Sequence, residues 1–329
     1  MHYFRFTVFY NLELGGTQAI IGLFVKQFVL CCVPCFVMIT GYLYGNREIQ
    51  LSKQYCLKLL KVIVPYILCS IPYFLFVYDG NKSFISFFKF ILDFTNNGYC
   101  WYIGMYIGLY FFIPFLNKLY RALNDKEKIK LFAVIYVFFF VAYTVNFFFK
   151  ILPQYFVNSS YILLYYFIGA YIKEHKLSGN KYKSLCLSIF FWLLNVLFAI
   201  WFDFGKQIAT TVPFYDYQGI FIPLQCAFLF DFFSQINAEM HMSVGIKSIV
   251  SKLADCVLPA YMISSTTDIY LYNIIFPATI HGFSMTENFS MIYFIPIMII
   301  NLVINILLGF VINSLSNKIL SFIKIQERH

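Results

Sequence analysis

The sequence predicts an all-α protein: a polytopic bundle of transmembrane helices with nine full spans plus a partial first one. Three observations predict it. Nine stretches are each long and apolar enough to cross a bilayer, which takes about 20 residues at 1.5 Å of rise per residue. The 329 residues are 61% hydrophobic and 22% aromatic but only 12% charged, far too little charge for a water-soluble domain of this size. The basic residues that do occur gather in alternate loops, the distribution expected of a membrane protein with a fixed orientation.

Taken in order, the full spans are expected at 19–44, 56–78, 99–117, 131–149, 156–172, 184–202, 212–230, 256–276 and 290–314. Several apolar stretches carry no Asp, Glu, Lys or Arg at all: 94–117, 131–149, 151–172, 184–202 and 288–317. Residues 1–11, MHYFRFTVFYN, are apolar and aromatic yet too short to cross. They read as the outer half of a helix whose first half lies upstream, so that restoring it makes ten spans with both ends on one side. The whole of 1–329 reads as a single membrane-embedded domain with this first helix truncated. Loops are short, and the longest are 79–95 outside and 232–252 inside. The outer one contains SFISFFKFILDF, whose Phe and Ile residues suit a short helix lying in the membrane interface. Prolines fall inside spans at Pro34, Pro65, Pro72, Pro114, Pro223, Pro259 and Pro296, where kinks are tolerated because neighbouring helices satisfy the freed carbonyls.

Of the 24 Lys and Arg residues, Arg5, Lys26, Lys82, Lys89, Lys150 and Lys206 fall on one side of this arrangement. The remainder fall on the other, among them Arg47, Lys53, Lys58 and Lys61, then Lys118 to Lys130, Lys173 to Lys183, Lys247, Lys252 and the tail. The rich side is therefore read as cytoplasmic, which puts the C-terminus in the cytoplasm of a multi-pass protein of the inner (plasma) membrane. The net charge of +9 is thus a topology signal. A nucleic-acid partner would need a dense basic stripe on a soluble surface, and none is present. The nine cysteines, most of them within spans, read as small buried hydrophobes. Neither a disulfide framework nor a metal site is expected.

Four segments together resemble acyltransferase family 3, integral membrane enzymes that move acyl groups onto sugars and other surface components. VPCFVMITGYLYG (33–45) resembles that family's second span, and KLLKVIVPY (58–66) the basic pair and Pro-Tyr that open its third. GYCWYIGMYIGLYFFIPFLNKL (98–119) resembles the Trp-containing fourth span, and YYFIGAYIKEH (165–175) the sixth. The resemblance covers residues 1 to 315. It implies a ten-span bundle, a cytoplasmic acyl donor such as acetyl-CoA, and an acceptor hydroxyl on a surface or secreted polysaccharide or its lipid-linked precursor. In the family an Arg and a His mark the first span; this chain begins after the Arg, and His2 sits where the His is expected. The family's penultimate span ends a Tyr-Leu-Ile pattern with His, and here 261–268 reads YMISSTTD, so Ser264 stands in its place.

Acyl transfer from a thioester to a hydroxyl needs a base for the hydroxyl proton and stabilisation of the oxyanion that forms. Among the five histidines, His2 alone is in a predicted helix at a position matching the family, and it is the expected base. Lys58 and Lys61 stand three apart on one helix face, where two ammonium groups suit the phosphates of acyl-CoA; loop topology explains them equally well. Asp216 and Asp268 are acids within or at the edge of spans, where a charge costs about 2.5–3.5 kcal/mol, placed to orient an acceptor hydroxyl or to pair with a base. Thr40 and Tyr42 are candidate donors to the oxyanion or the sugar, against ordinary interhelical bonding. Trp101, with Tyr102, suits either an aromatic belt or stacking on a sugar ring. Two other readings stay open: a transporter or flippase of a lipid-linked or small solute, although no internal repeat is evident, and an inactive truncated relative.

Overall fold

The computed structural model describes residues 2–94, 100–150, 160–236, 243–280 and 289–322. Among these residues every regular element is helical, and extended pairing is limited to the isolated bridges Glu13 with Gln207 and Leu14 with Phe204. Five helical stretches are long and apolar enough to cross a membrane: Thr17–Tyr44, Lys53–Phe76, Asp125–Phe149, Lys181–Asp203 and Met291–Phe322. Sequence reading expects one domain; the described residues cluster into two compact units. One comprises Tyr3–Ile49 with Ile113–Ala238, the other His2 with Gln50–Phe112 and Glu239–His329.

The first unit contains most of the short helix α1 (His2–Arg5), then α2 (Thr17–Val29) and α3 (Cys32–Tyr44). The expected single span 19–44 is thus two helices parted by a turn at Leu30 and Cys31. Pro34 lies in the first turn of α3, where a missing N–H removes no helical hydrogen bond, so it starts a helix rather than kinking one. All nine cysteines are free, including Cys32 and Cys35, whose C-x-x-C spacing opens α3.

The second unit holds α4 (Lys53–Lys58), which starts on a Ser52 cap accepting from the Tyr55 amide at 3.2 Å, and α5 (Leu60–Phe76). Next comes α6 (Phe84–Leu92), with Phe90 buried while Phe84, Ile85, Phe88 and Leu92 are exposed. That is the expected short amphipathic helix, and the Tyr66 hydroxyl anchors it by donating to the Ile91 carbonyl at 2.7 Å. Helix α7 (Trp101–Ala122) begins in the second unit and ends in the first. Residues 98 and 99 of its motif lie outside the described residues.

Back in the first unit, α8 (Asp125–Tyr136) opens with a capping box in which Asn124 and Glu127 satisfy each other's backbone amides at 3.1 and 2.9 Å. A π-turn at Val137–Val141 joins it to α9 (Ala142–Phe149). Helix α10 (Ile162–Glu174) follows; the start of its expected span, 156–159, is outside the described residues. Its end is tied to the start of α8 and the end of α7, because Glu174 accepts from Lys128 at 3.0 Å and from Tyr120 at 2.8 Å. Helix α11 (Lys181–Asp203) and helix α12 (Ile222–Ser234) complete the unit.

The expected span 212–230 requires correction. Residues 204–221 form a loop containing one 3-10 turn, Val212–Phe214, and the helix begins only at Ile222 with Pro223 in its first turn. Asp216 therefore sits on a loop and not within a helix. Non-helical backbone in such apolar surroundings requires partners for its carbonyls, and four helices supply them. Asn195 of α11 donates to Phe214 O at 3.0 Å, and Lys26 of α2 to Tyr215 O at 2.9 Å. Tyr165 of α10 donates to Tyr217 O at 2.6 Å, and Tyr136 of α8 to Ile220 O at 2.7 Å. Lys26 is 1% exposed, so it is no loop charge marking a side of the membrane but a buried clamp on this loop.

The motif glycines of the first unit serve packing. A Cβ on Gly41 would collide with the Tyr166 carbonyl, and one on Gly169 with the Met38 carbonyl. Helices α3 and α10 therefore touch backbone to backbone, the close approach that small residues permit in membranes. Asn117 closes the same corner: its amide donates to Tyr44 O at 2.7 Å and Arg47 O at 2.9 Å, capping α3, while its oxygen accepts from the Tyr166 hydroxyl at 2.6 Å.

In the second unit α13 (Val244–Tyr270) continues through a π-turn, Leu271–Ile275, into α14 (Phe276–Thr279), and α15 (Phe294–Phe322) packs along it. Helix α13 starts twelve residues before the expected boundary at 256, because 244–255 is amphiphilic and helical without being apolar. On α15 the buried stripe is Ile297, Asn305, Gly309, Ile312, Ser316 and Leu320, at helical spacings of three, four and eight, whereas Leu302, Val303, Leu307 and Val311 are exposed. Asn305, Gly309 and Ser316 face protein beside Ile297, Ile312 and Leu320, while large apolar side chains face outward, the pattern of a helix whose solvent is lipid.

Candidate active site at His2 and Asp268

Asp268 lies in the last turn of α13, three residues before the π-turn at Leu271. Its carboxyl is 0% exposed, a position tenable only with partners. His2 provides one, its Nδ1 lying 2.5 Å from Asp268 Oδ2, with the imidazole 29% exposed. Asn301 of α15 provides another, donating from Nδ2 to Asp268 Oδ1 at 2.6 Å. Behind Asn301 stands Asn305, one turn further along α15, which donates to the Asn301 Oδ1 at 2.5 Å and to its backbone carbonyl at 2.9 Å. Thr267, next to Asp268, donates to Asn305 Oδ1 at 2.6 Å.

A carboxylate that accepts from one imidazole nitrogen orients the ring and favours one tautomer. Here Nδ1 is the nitrogen that faces Asp268. Two residues 266 positions apart in the sequence, each singled out there for its own reason, are thus brought into contact.

The other expected site residues distribute as follows. Trp101, also in the second unit, stands edge-on to Tyr102 with ring centroids 6.2 Å apart, and Tyr102 packs edge-on against Tyr261, two turns before Asp268 on α13, at 6.0 Å. Lys58 ends α4 and Lys61 lies in the first turn of α5; both are exposed, on either side of Leu59. Ser264 is buried and donates to the Tyr261 carbonyl of its own helix at 2.7 Å. Thr40, Tyr42 and Asp216 belong to the first unit. The Thr40 hydroxyl donates to Phe36 O, one turn back, at 3.1 Å. The Tyr42 ring packs edge-on against Phe230 at 5.8 Å with the Lys173 ammonium 5.8 Å from its centroid. Asp216 accepts from the Tyr143 hydroxyl at 3.0 Å. Beside it on the same loop, burial and then the Asp203 carboxylate push the Tyr215 phenol above its ordinary range. Among the described residues no group of three His, Cys, Asp or Glu side chains is arranged to hold a metal ion.

Residues 1–311 match the acyltransferase domain of acyltransferase family 3. The chain belongs to that family. Neither the curated proteins nor the solved structures include a match to it. As a member of family 3 with several apolar helices of spanning length, this acyltransferase is a multi-pass membrane protein.

Three polar residues of this acyltransferase escaped sequence reasoning. Asn301 and Asn305 stand four apart in a stretch without a single charge, which puts two amides on one face of a helix otherwise built for lipid. That spacing was the available signal. Lys26 announces itself similarly, as a lone cation inside a 28-residue apolar stretch.

Proposed function

We propose that this acyltransferase moves an acyl group, in particular acetyl, from a cytoplasmic acyl-CoA to a hydroxyl of a surface or secreted polysaccharide or its lipid-linked precursor. The single observation that carries the reading is the His2–Asp268 contact, which supplies an oriented base where the family resemblance expects one. In the reaction the acceptor oxygen attacks the thioester carbonyl as its proton passes to His2 Nε2. The C–O bond forms, the C–S bond breaks, and the proton leaves with the coenzyme A thiol. Lys58 and Lys61, both exposed, suit the phosphates of the donor as point charges. Trp101 offers a face for a sugar ring. The reading places the helical bundle in the inner membrane, with the basic loops and the C-terminus cytoplasmic; the uneven spread of Lys and Arg supports it.

The test uses membranes containing the full chain and radiolabelled acetyl-CoA. Label is expected in polysaccharide or lipid-linked sugar, and His2→Ala is expected to lower incorporation about 10²- to 10⁴-fold while membrane insertion persists. Full incorporation by His2→Ala, or solute movement with no covalent label, ends the proposal.

A further inference from the structure

The polar side chains behind Asp268 do more than fill space. Each amide in this row has a fixed direction. The Asp268 carboxylate only accepts, so Asn301 turns its NH₂ toward Asp268 and its oxygen toward Asn305. Asn305 must then turn its NH₂ toward Asn301 and its oxygen toward Thr267, whose hydroxyl also lies 3.4 Å from the Ser264 carbonyl and 3.5 Å from that of Ile263. Donation runs one way, Thr267 to Asn305 to Asn301 to Asp268 Oδ1, while His2 meets Oδ2 from the other side. Asn305 is itself buried, and the row bridges α13 to α15, whose close packing leaves Gly309 so near that an added Cβ would lie 2.8 Å from the Cys256 carbonyl.

We infer that Asn301, Asn305 and Thr267 are positioning residues, which hold the Asp268 carboxylate in the one orientation that presents His2 Nε2 to the acceptor hydroxyl. The inference rests on His2 being the base. None of the three touches His2 in the row just described, so their effect passes through Asp268. A buried amide that loses its partner is free to flip, and a carboxylate that loses the Asn301 donor on Oδ1 loses part of what fixes its plane. An error of about 1 Å in the placement of a catalytic group costs on the order of 10²-fold in rate.

The experiment measures label transferred from radiolabelled acetyl-CoA in membranes containing the full chain, as a function of donor concentration and pH. Asn301→Ala is expected to lower the rate at saturating donor about 10²-fold with the donor KM unchanged. Asn301→Asp is the diagnostic variant. Its new carboxyl can donate to Asp268 only while protonated, so its rate should fall as pH rises through the titration of that acid, over a range where the parent does not fall. A merely space-filling role predicts no such inversion. Should Asn301→Ala fail to insert, Thr267→Val against Thr267→Ser decides: a slow valine variant beside a parent-like serine variant supports the row, and equal rates overturn it. Parental rate and pH profile in Asn301→Ala, with His2→Ala inactive, sink the row alone. An active His2→Ala sinks the functional reading beneath it.

Discussion

In the first unit buried donors from four helices end on the backbone carbonyls of one loop, whereas in the second a file of side chains ends on a carboxyl and an imidazole. Both networks centre on fully buried groups, Lys26, Tyr165 and Asn195 in one and Asp268 in the other, with half-buried members at their edges. They differ in what receives the hydrogen bonds. A carbonyl that accepts from Lys26 or Tyr165 becomes architecture: non-helical backbone is made tenable in apolar surroundings. A carboxylate that accepts from Asn301 and His2 serves chemistry on the proposed reading, since the geometry of the imidazole then depends on it. Burial of a polar group is thus no guide to function until the atom at the end of the network is named.

Substitutions separate the two. The largest expected effect falls on the chemical network: Asp268→Asn keeps the shape but offers His2 Nδ1 an amide that can present the wrong partner atom, and should cost about 10³- to 10⁴-fold in label transfer with insertion intact. Near-parental transfer would place Asp268 with the architectural groups. Next is Lys26→Met, which leaves Tyr215 O without its donor. It should destabilise by about 1–3 kcal/mol, read as a lower melting temperature in detergent, while the rate per folded molecule stays near parental. A rate loss with unchanged melting would instead move Lys26 into the reaction.

Smaller effects come from groups outside both networks. Replacing Lys58 and Lys61 together by Gln should raise the acetyl-CoA needed for half-maximal transfer several-fold and leave the saturated rate alone; an unchanged requirement returns both to topology marking. Thr40→Val should change stability by less than about 0.5 kcal/mol and transfer not measurably, because its hydroxyl is satisfied by its own helix.

How far the sequence could be read follows from the same contrast. Helices formed by 131–149, 184–202 and 290–314 were legible because length and apolarity suffice to define a lipid-facing helix; the first two lie within a helical stretch and the third does so from its second residue, Met291. The loop at 212–221 was not, because VPFYDYQGIF is as apolar and aromatic as a span. What keeps it from being helical is a set of donors on Lys26, Tyr136, Tyr165 and Asn195, none of them sequence neighbours. The start of α13 was missed for the opposite reason, being helical but not apolar. At the site, His2 was legible from the family resemblance and Asp268 from the cost of an acid in a span, yet their contact joins the two ends of the chain and no local pattern encodes it. Asn301 and Asn305 left a trace in their spacing of four.

The seam between α3 and α10 has a mechanical consequence. With hydrogen atoms at Gly41 and Gly169 facing carbonyls, no side chain stands between the backbones at these two points, so the two rods lack there the bearings on which packed helices slide. If the catalytic cycle demands rearrangement, the pair travels as one girder, and compliance has to be sought where the helical pitch is already irregular, at Val137–Val141 or Leu271–Ile275.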